Sequence, residues 1–265
     1  MSDPGMVELV THGRIDVEGR LVDASNATLF GTITLDEVTA HCVYKPVRGE
    51  RPLWDFPDGT LAGREVATYL LSSATGADLV PPTVLRSGPF GEGMVQLWID
   101  AAPEGESVEL VDIMRPDEVP DGWRVVLHAH DRHGEPAVLA HADHAGVRQL
   151  AVFDAVANNA DRKGGHVLTD QSGHVYGVDH GICLHSEPKL RTVLWGWSGE
   201  PLPEDAVEML RKLRSELDGQ LSEQLAEHLT AAEVHAITER TDALLANQVF
   251  PSPGEQWRAI PWPPF

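Results

Sequence analysis

The sequence predicts an α+β protein with two lobes, a β-rich N-terminal lobe over residues 1–100 and a mostly α-helical C-terminal lobe over residues 101–265. Residues 7–99 contain short alternating segments separated by turn-forming residues, which is typical of strands. Residues 104–265 contain longer segments with apolar side chains at helical spacing. Strands followed by helices favour an α+β fold, and ligands often bind between two such units.

The N-terminal lobe is expected to contain several strands and one helix. Residues 20–35 alternate between apolar and polar side chains, and Thr39–Lys45 has the pattern of a strand that ends in a lysine. Leu61–Ala74 has apolar residues at helical spacing, and residues 93–100 read as a further strand.

The C-terminal lobe is expected to contain three helices and a hairpin. Val147–Ala157 has the pattern of an apolar helix, and residues 166–184 read as two strands around a DQSG turn. Glu204–Leu221 and Ala231–Asn247 have the pattern of amphipathic helices. The Pro- and Trp-rich residues 251–265 cannot form a helix, so we expect an extended segment that straps across the surface.

Two helix ends carry capping signals. Thr230 precedes the last predicted helix and Glu233 follows three residues later, which is the pattern of a capping box. Asn158 and Asn159 follow the apolar helix, and we interpret them as a C-cap rather than as catalytic residues.

The composition limits the kinds of partner. The chain has 20 basic and 41 acidic side chains and a net charge of −21, and such a surface repels nucleic acid and anionic lipid. We therefore expect neither a nucleic-acid partner nor a membrane partner. No secretory signal and no apolar stretch of membrane-spanning length is evident, which predicts a cytoplasmic location. Cys42 and Cys183 lie in apolar segments and are expected to be buried free thiols.

Four polar side chains occur in an order that suits phosphoryl transfer from ATP. This reaction needs a cation on the phosphates, an acid that holds the cation, a carboxylate for the metal and a group that orients the acceptor. Lys45 ends a predicted strand, and Glu65 follows near the start of a predicted helix. Asp161 follows the apolar helix, and Asp179 lies at the end of an apolar strand. Lys45 alone is more often a solvated lysine, and Glu65 alone more often a helix-terminal acid.

The segment from Asp161 to Gly181 carries the most specific signal. It reads DRKGGH, then a predicted hairpin, then DHG. This resembles the phosphatidylinositol 3-/4-kinase-like family, whose catalytic loop reads DRHxxN and is followed by a hairpin and a DFG-type motif. The resemblance covers roughly residues 20–185. It implies a two-lobed protein-kinase-like fold, a kinase activity that uses ATP, and Mg²⁺ or Mn²⁺ as the metal.

The resemblance assigns roles to the four polar residues. Asp161 takes the place of the catalytic aspartate, and Asp179 takes that of the metal-binding aspartate. Lys45 takes the place of the lysine that binds the phosphates, and Glu65 that of its acidic partner.

Four further residues are implied to bind the nucleotide. Asn26 and Thr28 correspond to the loop that covers the phosphates between the first two strands. Gln96 and Trp98 lie in residues 96–99, which correspond to the hinge segment beside the adenine.

Two positions depart from the family's pattern. Lys163 replaces the motif's histidine and could lie near the γ-phosphate. His166 stands where the family has a second metal-binding asparagine, and Mn²⁺ accepts such a ring nitrogen better than Mg²⁺ does. Few cations follow the DHG motif, so with the net charge we do not expect a lipid acceptor. The acceptor is expected to be another small molecule or a protein side chain.

Three other functions fit parts of the sequence. The histidine at position 166 and the short C-terminal lobe suit a nucleotide-binding pseudokinase or scaffold. Related folds also transfer AMP, so an adenylyltransferase is an alternative. A metal-dependent hydrolase would use the histidines that crowd residues 128–144, although surface histidines paired with acids are the simpler interpretation. These histidines are His128, His130, His133, His141 and His144.

A second DRH sequence occurs at Asp131–His133. No DxG motif follows it at the required distance, because residue 149 is glutamine. We therefore interpret it as a loop within an insertion.

Overall fold

The computed structural model describes residues 4–21, 26–100, 109–254 and 258–265. The first elements along the chain are α1 (Pro4–His12), β1 (Arg14–Arg20), β2 (Leu29–Leu35), β3 (Val38–Pro46), α2 (Leu61–Thr75), β4 (Thr83–Gly88) and β5 (Gly91–Leu97). The five strands form one antiparallel sheet with the order β1-β2-β3-β5-β4. Strand β3, which carries Lys45, is the central strand of this sheet, and Cys42, Tyr44 and Pro46 near its end are buried.

Helix α1 packs on the sheet and was not predicted. Leu9 and Val10 on α1 are buried with Ile33, Cys42 and Tyr44 from the strands, and together they form a small core. The prediction that residues 7–99 are mostly β is therefore wrong for this short segment, whose nine residues carry too little periodic signal to indicate a helix.

Helix α2 lies between the sheet and the C-terminal part and is covered on nearly all sides. Eleven of its fifteen residues are buried. The hydroxyl of Thr60 accepts a hydrogen bond from the Gly63 N–H at its start, and Gly76 ends it with φ 76°, a left-handed conformation that favours glycine. The predicted helix over Leu61–Ala74 is confirmed, and its burial fixes the position of Glu65.

The C-terminal part is mainly helical but also contains a three-stranded sheet. Its elements are β6 (Val111–Met114), β7 (Trp123–His130), β8 (Pro136–Ala142), α3 (Ala145–Ala157), β9 (Val167–Thr169), β10 (Val175–Gly177), α4 (Glu204–Leu217), α5 (Gln220–Leu225) and α6 (Ala231–Asn247). Strands β9 and β10 form the predicted hairpin. The α+β prediction is thus confirmed, with one exception.

The exception is the sheet β6-β8-β7, which lies in a region that was predicted to be mostly helical. Strand β8 is central, and five of its seven residues are buried on both faces. A short strand covered on both faces reads as a continuous apolar run, which periodicity cannot distinguish from a piece of helix.

The second DRH sequence lies in the turn between β7 and β8. The carboxylate of Asp131 accepts hydrogen bonds from the N–H groups of His133 and Glu135, so this residue shapes the turn. The prediction of a loop is confirmed, but the turn joins the paired strands β7 and β8, so the expectation that a helix follows it directly is wrong.

The histidines of residues 128–144 lie on β7, in the turn after it, on β8 and at the start of α3, and they do not form one cluster. His128 and His130 are exposed on β7, and the His144 ring accepts a hydrogen bond from the Gly146 N–H at the start of α3. His141 is buried against Trp197. Within the described ranges, no group of three or more His, Cys, Asp or Glu residues could by itself hold a metal ion. The described residues therefore give the histidine-based hydrolase no support.

The main core lies in the C-terminal part, between α2, α3, α4 and α6. The capping box is confirmed, because the Thr230 hydroxyl accepts from the Glu233 N–H and the Glu233 carboxylate accepts from the Thr230 N–H. Asn158 ends α3 with φ 51°, as its interpretation as a C-cap requires. No helix in the described part of the chain is long and apolar enough to cross a membrane.

We predict that His141 makes the protein less stable in mild acid. Burial lowers the pKa of His141 to about 4, so between pH 6.5 and 4 the unfolded chain binds a proton there that the folded chain does not. The free energy of unfolding therefore falls as pH falls through this range. His141→Gln should reduce that slope by up to about 1.4 kcal/mol per pH unit, measured by urea unfolding. His128→Gln, at an exposed position on β7, is the control, and equal slopes in all three proteins would contradict the prediction.

Candidate active site

The centre of the candidate site is an ion pair network around Lys45. Lys45 lies near the end of β3, and its Nζ donates hydrogen bonds to Glu65 Oε1 at 2.6 Å and to Asp179 Oδ1 at 2.7 Å. The other carboxylate oxygen of Glu65 accepts a hydrogen bond from the backbone N–H of His180 at 2.9 Å. One lysine therefore connects the sheet, helix α2 and the DHG segment.

The charges in this network stabilise each other. Lys45 lowers the pKa of Asp179. Burial alone would lower the pKa of Lys45, but the charges of Asp179 and Glu65 outweigh this effect and raise it. Lys45 and Asp179 are therefore ionised at neutral pH, whereas burial raises the pKa of Glu65 against the opposing charge of Lys45. Glu65 is only 1% exposed, whereas the Asp179 side chain is 52% exposed, so Asp179 alone of the two acids presents an oxygen to solvent in the cleft.

Arg64, the neighbour of Glu65 on α2, anchors the helix from behind. Its guanidinium donates to Glu233 Oε1 at 2.6 Å and to the carbonyl oxygens of Asp58 and Cys183. Both members of the Arg64–Glu233 pair are buried. Because Glu233 lies on α6, this pair fixes α2, and with it Glu65, to the C-terminal part.

The loop of residues 161–166, which we call the candidate catalytic loop, is held by a second buried ion pair. Arg162 is fully buried, and its guanidinium donates to both oxygens of Asp154 at 2.8 and 2.9 Å. It also donates to the carbonyl oxygens of His166 and Val178, and it lies 2.7 Å from the ring Nε2 of His180. These contacts connect α3, the candidate catalytic loop and the DHG segment.

Sequence reasoning missed this network. Asp154 lies on a helix face that is otherwise apolar, and a buried acid there indicates a partner charge. The arginine of the DRKGGH segment was the available candidate. The network also needs Gly177, because a Cβ at that position would lie 2.7 Å from the Arg162 Nη2 atom.

Asp161 faces the same cleft from the candidate catalytic loop. Its backbone N–H donates to the side chain of Asn159 at 2.9 Å, which fixes the loop. Burial raises the pKa of Asp161, and the nearby Lys163 opposes this effect. Lys163 Nζ lies 3.7 Å from Asp161 Oδ2. A carboxylate with a raised pKa is well suited to accept a proton from an acceptor hydroxyl.

His166 lies on the other side of Asp179. Its Nε2 is 3.5 Å from Asp179 Oδ2, too far for a hydrogen bond, and its Nδ1 is buried without a hydrogen-bond partner in the described residues. Burial lowers the pKa of His166 to about 4, against an opposing effect of Asp179. The imidazole is therefore neutral at pH 7, the form that can bind a metal.

The donor set of Asp179 and His166 fits a nucleotide-dependent metal. Two protein ligands cannot fill six coordination positions, but in phosphotransfer sites phosphate oxygens and water supply the rest. The oxygen and nitrogen donors suit Mn²⁺ and, less well, Mg²⁺.

The structure places five of the ten predicted site residues around one cavity of about 360 Å³. These five are Asn26, Lys45, Glu65, Asp161 and Asp179. Lys163 and His166 do not line this cavity but adjoin Asp161 and Asp179.

The other three predicted residues lie outside the cavity lining. Thr28 is buried immediately before β2. Gln96 is buried on β5, and its amide donates to the Thr83 hydroxyl. Trp98 is partly exposed and contacts the Phe30 ring edge to face. Their roles beside the phosphates and the adenine remain predictions.

Two charged residues of the cavity lining, Glu50 and Arg51, were not predicted. The Glu50 carboxylate accepts hydrogen bonds from the N–H groups of Leu61 and Ala62 and so caps the start of α2. Both residues lie in a loop, where sequence periodicity gives no signal.

The fold is kinase-like. The crystal structure of the Golgi casein kinase with Mn and ADP bound is similar, with a TM-score of 0.57 and 14% sequence identity over 93% of this chain and 76% of that chain. The proinflammatory kinase CtkA of Helicobacter pylori is more distant, with a TM-score of 0.46 and 9% identity over 90% of this chain and 93% of that chain.

Protein Rv2133c of Mycobacterium tuberculosis (strain ATCC 25618 / H37Rv) is 49% identical to this chain over 266 residues, which cover 97% of this chain and 94% of that protein. The chain therefore belongs to the same family as protein Rv2133c. No protein-family model matches the chain.

We predict that Arg64→Met destabilises the protein by about 3–5 kcal/mol, because it leaves the Glu233 carboxylate buried without its partner. The measurement is the free energy of unfolding in urea. Arg115→Met is the control, since Arg115 pairs with Glu118 at the exposed surface, and it should cost much less than Arg64→Met. Equal losses in the two variants would contradict a special role for the buried pair.

Proposed function

We propose that this protein is a phosphotransferase that depends on ATP and a divalent metal. The observation that carries the proposal is the contact of Lys45 with both Glu65 and Asp179, in a cleft that also contains Asp161. This arrangement provides each group that phosphoryl transfer needs, on a fold that is kinase-like.

Each residue has a separate task in this proposal. Lys45 binds the α- and β-phosphates, and Glu65 holds its ammonium in the cleft. Asp179 and His166 hold the metal, which neutralises charge on the phosphate oxygens when it is bound. The Mn and ADP in the Golgi casein kinase structure support this choice of cofactors.

The transfer step exchanges one P–O bond for another. Asp161 accepts the proton of the acceptor hydroxyl while the hydroxyl oxygen forms a bond to the γ-phosphorus. The bond between that phosphorus and the β–γ bridging oxygen breaks, and ADP leaves with its electron pair. Lys163, beside Asp161, stabilises negative charge on the phosphoryl group as it moves.

We also propose which branch of the kinase-like proteins this chain lies near. The DRKGGH loop, the hairpin and the DHG motif support a place near the phosphatidylinositol 3-/4-kinase-like branch. The net charge of −21 argues against a lipid acceptor, so we propose a small molecule or a protein side chain as the acceptor. A cytoplasmic location is consistent with these partners.

One assay separates the proposal from its alternatives. The protein is incubated with candidate acceptors and ATP labelled on either the α- or the γ-phosphate. Transfer of the γ-label supports a kinase, transfer of the α-label indicates an adenylyltransferase, and metal-dependent ATP binding without transfer of either label indicates a pseudokinase.

We predict that Asp179→Ala abolishes the metal-dependent part of ATP binding. In the wild type, a hundredfold excess of ATP over its Kd should raise stability by about 2.7 kcal/mol, measured as a thermal shift with and without Mg²⁺ or Mn²⁺. Asp131→Ala, in the DRH sequence of the β7–β8 turn, should respond like the wild type. An unchanged metal response in Asp179→Ala would remove Asp179 from the site.

We predict that His166→Asn shifts the metal preference from Mn²⁺ toward Mg²⁺, because an amide oxygen replaces a ring nitrogen. The measurement is the concentration of each metal that gives half of the thermal shift with ATP. His130→Asn, on the exposed strand β7, serves as the control. If the ratio of the two concentrations stays constant in His166→Asn, His166 is not a ligand.

A further inference from the structure

Residues 258–265 form an irregular segment that we call the C-terminal strap. The carbonyl oxygen of Ala259 accepts hydrogen bonds from the Thr192 N–H at 3.0 Å and from the Trp195 indole N–H at 2.8 Å. Ile260 packs against the main core, and Pro261 is buried. Residues 258–265 contain no helix, as predicted, but they include bends at residues 259–260 and 262–263, while residues 255–257 of the predicted segment lie outside the described residues. The path of the strap leads to the candidate active site.

The end of the strap lies on the candidate catalytic loop. The N–H of Gly164 donates to the carbonyl oxygen of Pro264 at 2.8 Å. The Phe265 ring lies against Gly164 so closely that a Cβ at this position would overlap the ring. In contrast, a Cβ on the neighbouring Gly165 would meet no atom of the described chain within 4 Å.

Gly164 is the first residue of a 3-10 turn that ends at His166. The N–H groups at the start of such a turn have no partner inside it, so another group must satisfy them. Here the strap does so. The residues on either side of Gly164 and Gly165 are Lys163 and His166, two of the proposed site residues.

The turn is thus held from two directions. On the interior side, Arg162 donates a hydrogen bond to the carbonyl oxygen of His166. On the outer side, the strap binds Gly164. Because the turn has only three residues, a displacement at Gly164 moves the backbone of both Lys163 and His166.

We propose that Pro264 and Phe265 are positioning residues of the phosphotransfer site. By fixing Gly164, they hold Lys163 beside Asp161 and His166 beside Asp179. The catalytic meaning of this contact rests on the proposed function, whereas the contact itself can be tested without any nucleotide.

The first measurement is hydrogen exchange at the Gly164 amide in the nucleotide-free protein. Phe265→Ala and Gly164→Ala should both accelerate exchange in this loop by at least about tenfold, because each one separates the strap from the loop. Their effects should not add in the double variant, since both remove the same contact. Gly165→Ala and Trp262→Ala are the controls, because Gly165 faces open space and the Trp262 side chain is 73% exposed on the same strap. Both controls should retain wild-type exchange at Gly164.

The second measurement is the Mn²⁺ concentration that gives half of the ATP-induced thermal shift. In Phe265→Ala it should rise by about tenfold or more, as is typical when a group that orients a metal ligand is lost. ATP affinity without metal should stay unchanged, because Lys45 is not moved. Phe265→Leu, which keeps an apolar side chain at this position, should restore most of the wild-type behaviour.

Two outcomes would overturn the proposal about the strap, and a third would overturn the proposed function. Unchanged exchange at Gly164 in Phe265→Ala would show that the strap does not hold the loop. Faster exchange with an unchanged Mn²⁺ requirement would show that the strap stabilises the loop without positioning His166. A wild-type protein that binds no nucleotide with any metal would instead overturn the proposed function as well, and the exchange data would still report separately on the contact.

Discussion

The candidate site depends on the burial of one charged group, the guanidinium of Arg162. A buried guanidinium has five N–H groups to satisfy and cannot lose its charge, so the chain around it must supply acceptors. All five N–H groups have partners: both oxygens of Asp154, the carbonyl oxygens of His166 and Val178, and the ring of His180. Burial and the charge of Arg162 lower the pKa of His180, which keeps its ring neutral and able to accept. The candidate catalytic loop and the DHG segment are therefore fixed relative to each other.

The site also requires that the N-terminal part is attached to the loop and the DHG segment that Arg162 holds. Helix α2 meets this requirement with two neighbouring residues of opposite charge. Arg64 binds Glu233 on α6, while Glu65 binds Lys45 on β3 and the N–H of His180. The helix therefore connects the sheet, the DHG segment and the last helix at one point, which is why its surface is buried nearly all round.

The sequence predicted those parts of the site that can be recognised from residues close together along the chain. The spacing of Asp161 and Asp179 around a hairpin indicated a catalytic loop, and Lys45 at the end of a strand indicated a cation in a cleft. The partners of Arg162 and Arg64 were not predicted. Asp154, an acid on an otherwise apolar helix face, signals a buried counter-charge, whereas the pattern around Glu233 indicates only a capping box and gives no sign of Arg64. The small sheet was missed for a similar reason, since β8 is buried on both faces and lacks alternation.

The close approach of Gly177 to Arg162 links two positions that are fifteen residues apart along the chain. A side chain at position 177 would have to occupy the space of the guanidinium, and a shorter residue at position 162 would leave the Asp154 carboxylate buried without a counter-charge. Neither change is tolerable by itself. In related proteins the two residues should therefore be inherited as a pair, and a relative that has lost the glycine should also have lost the arginine and the acid on α3.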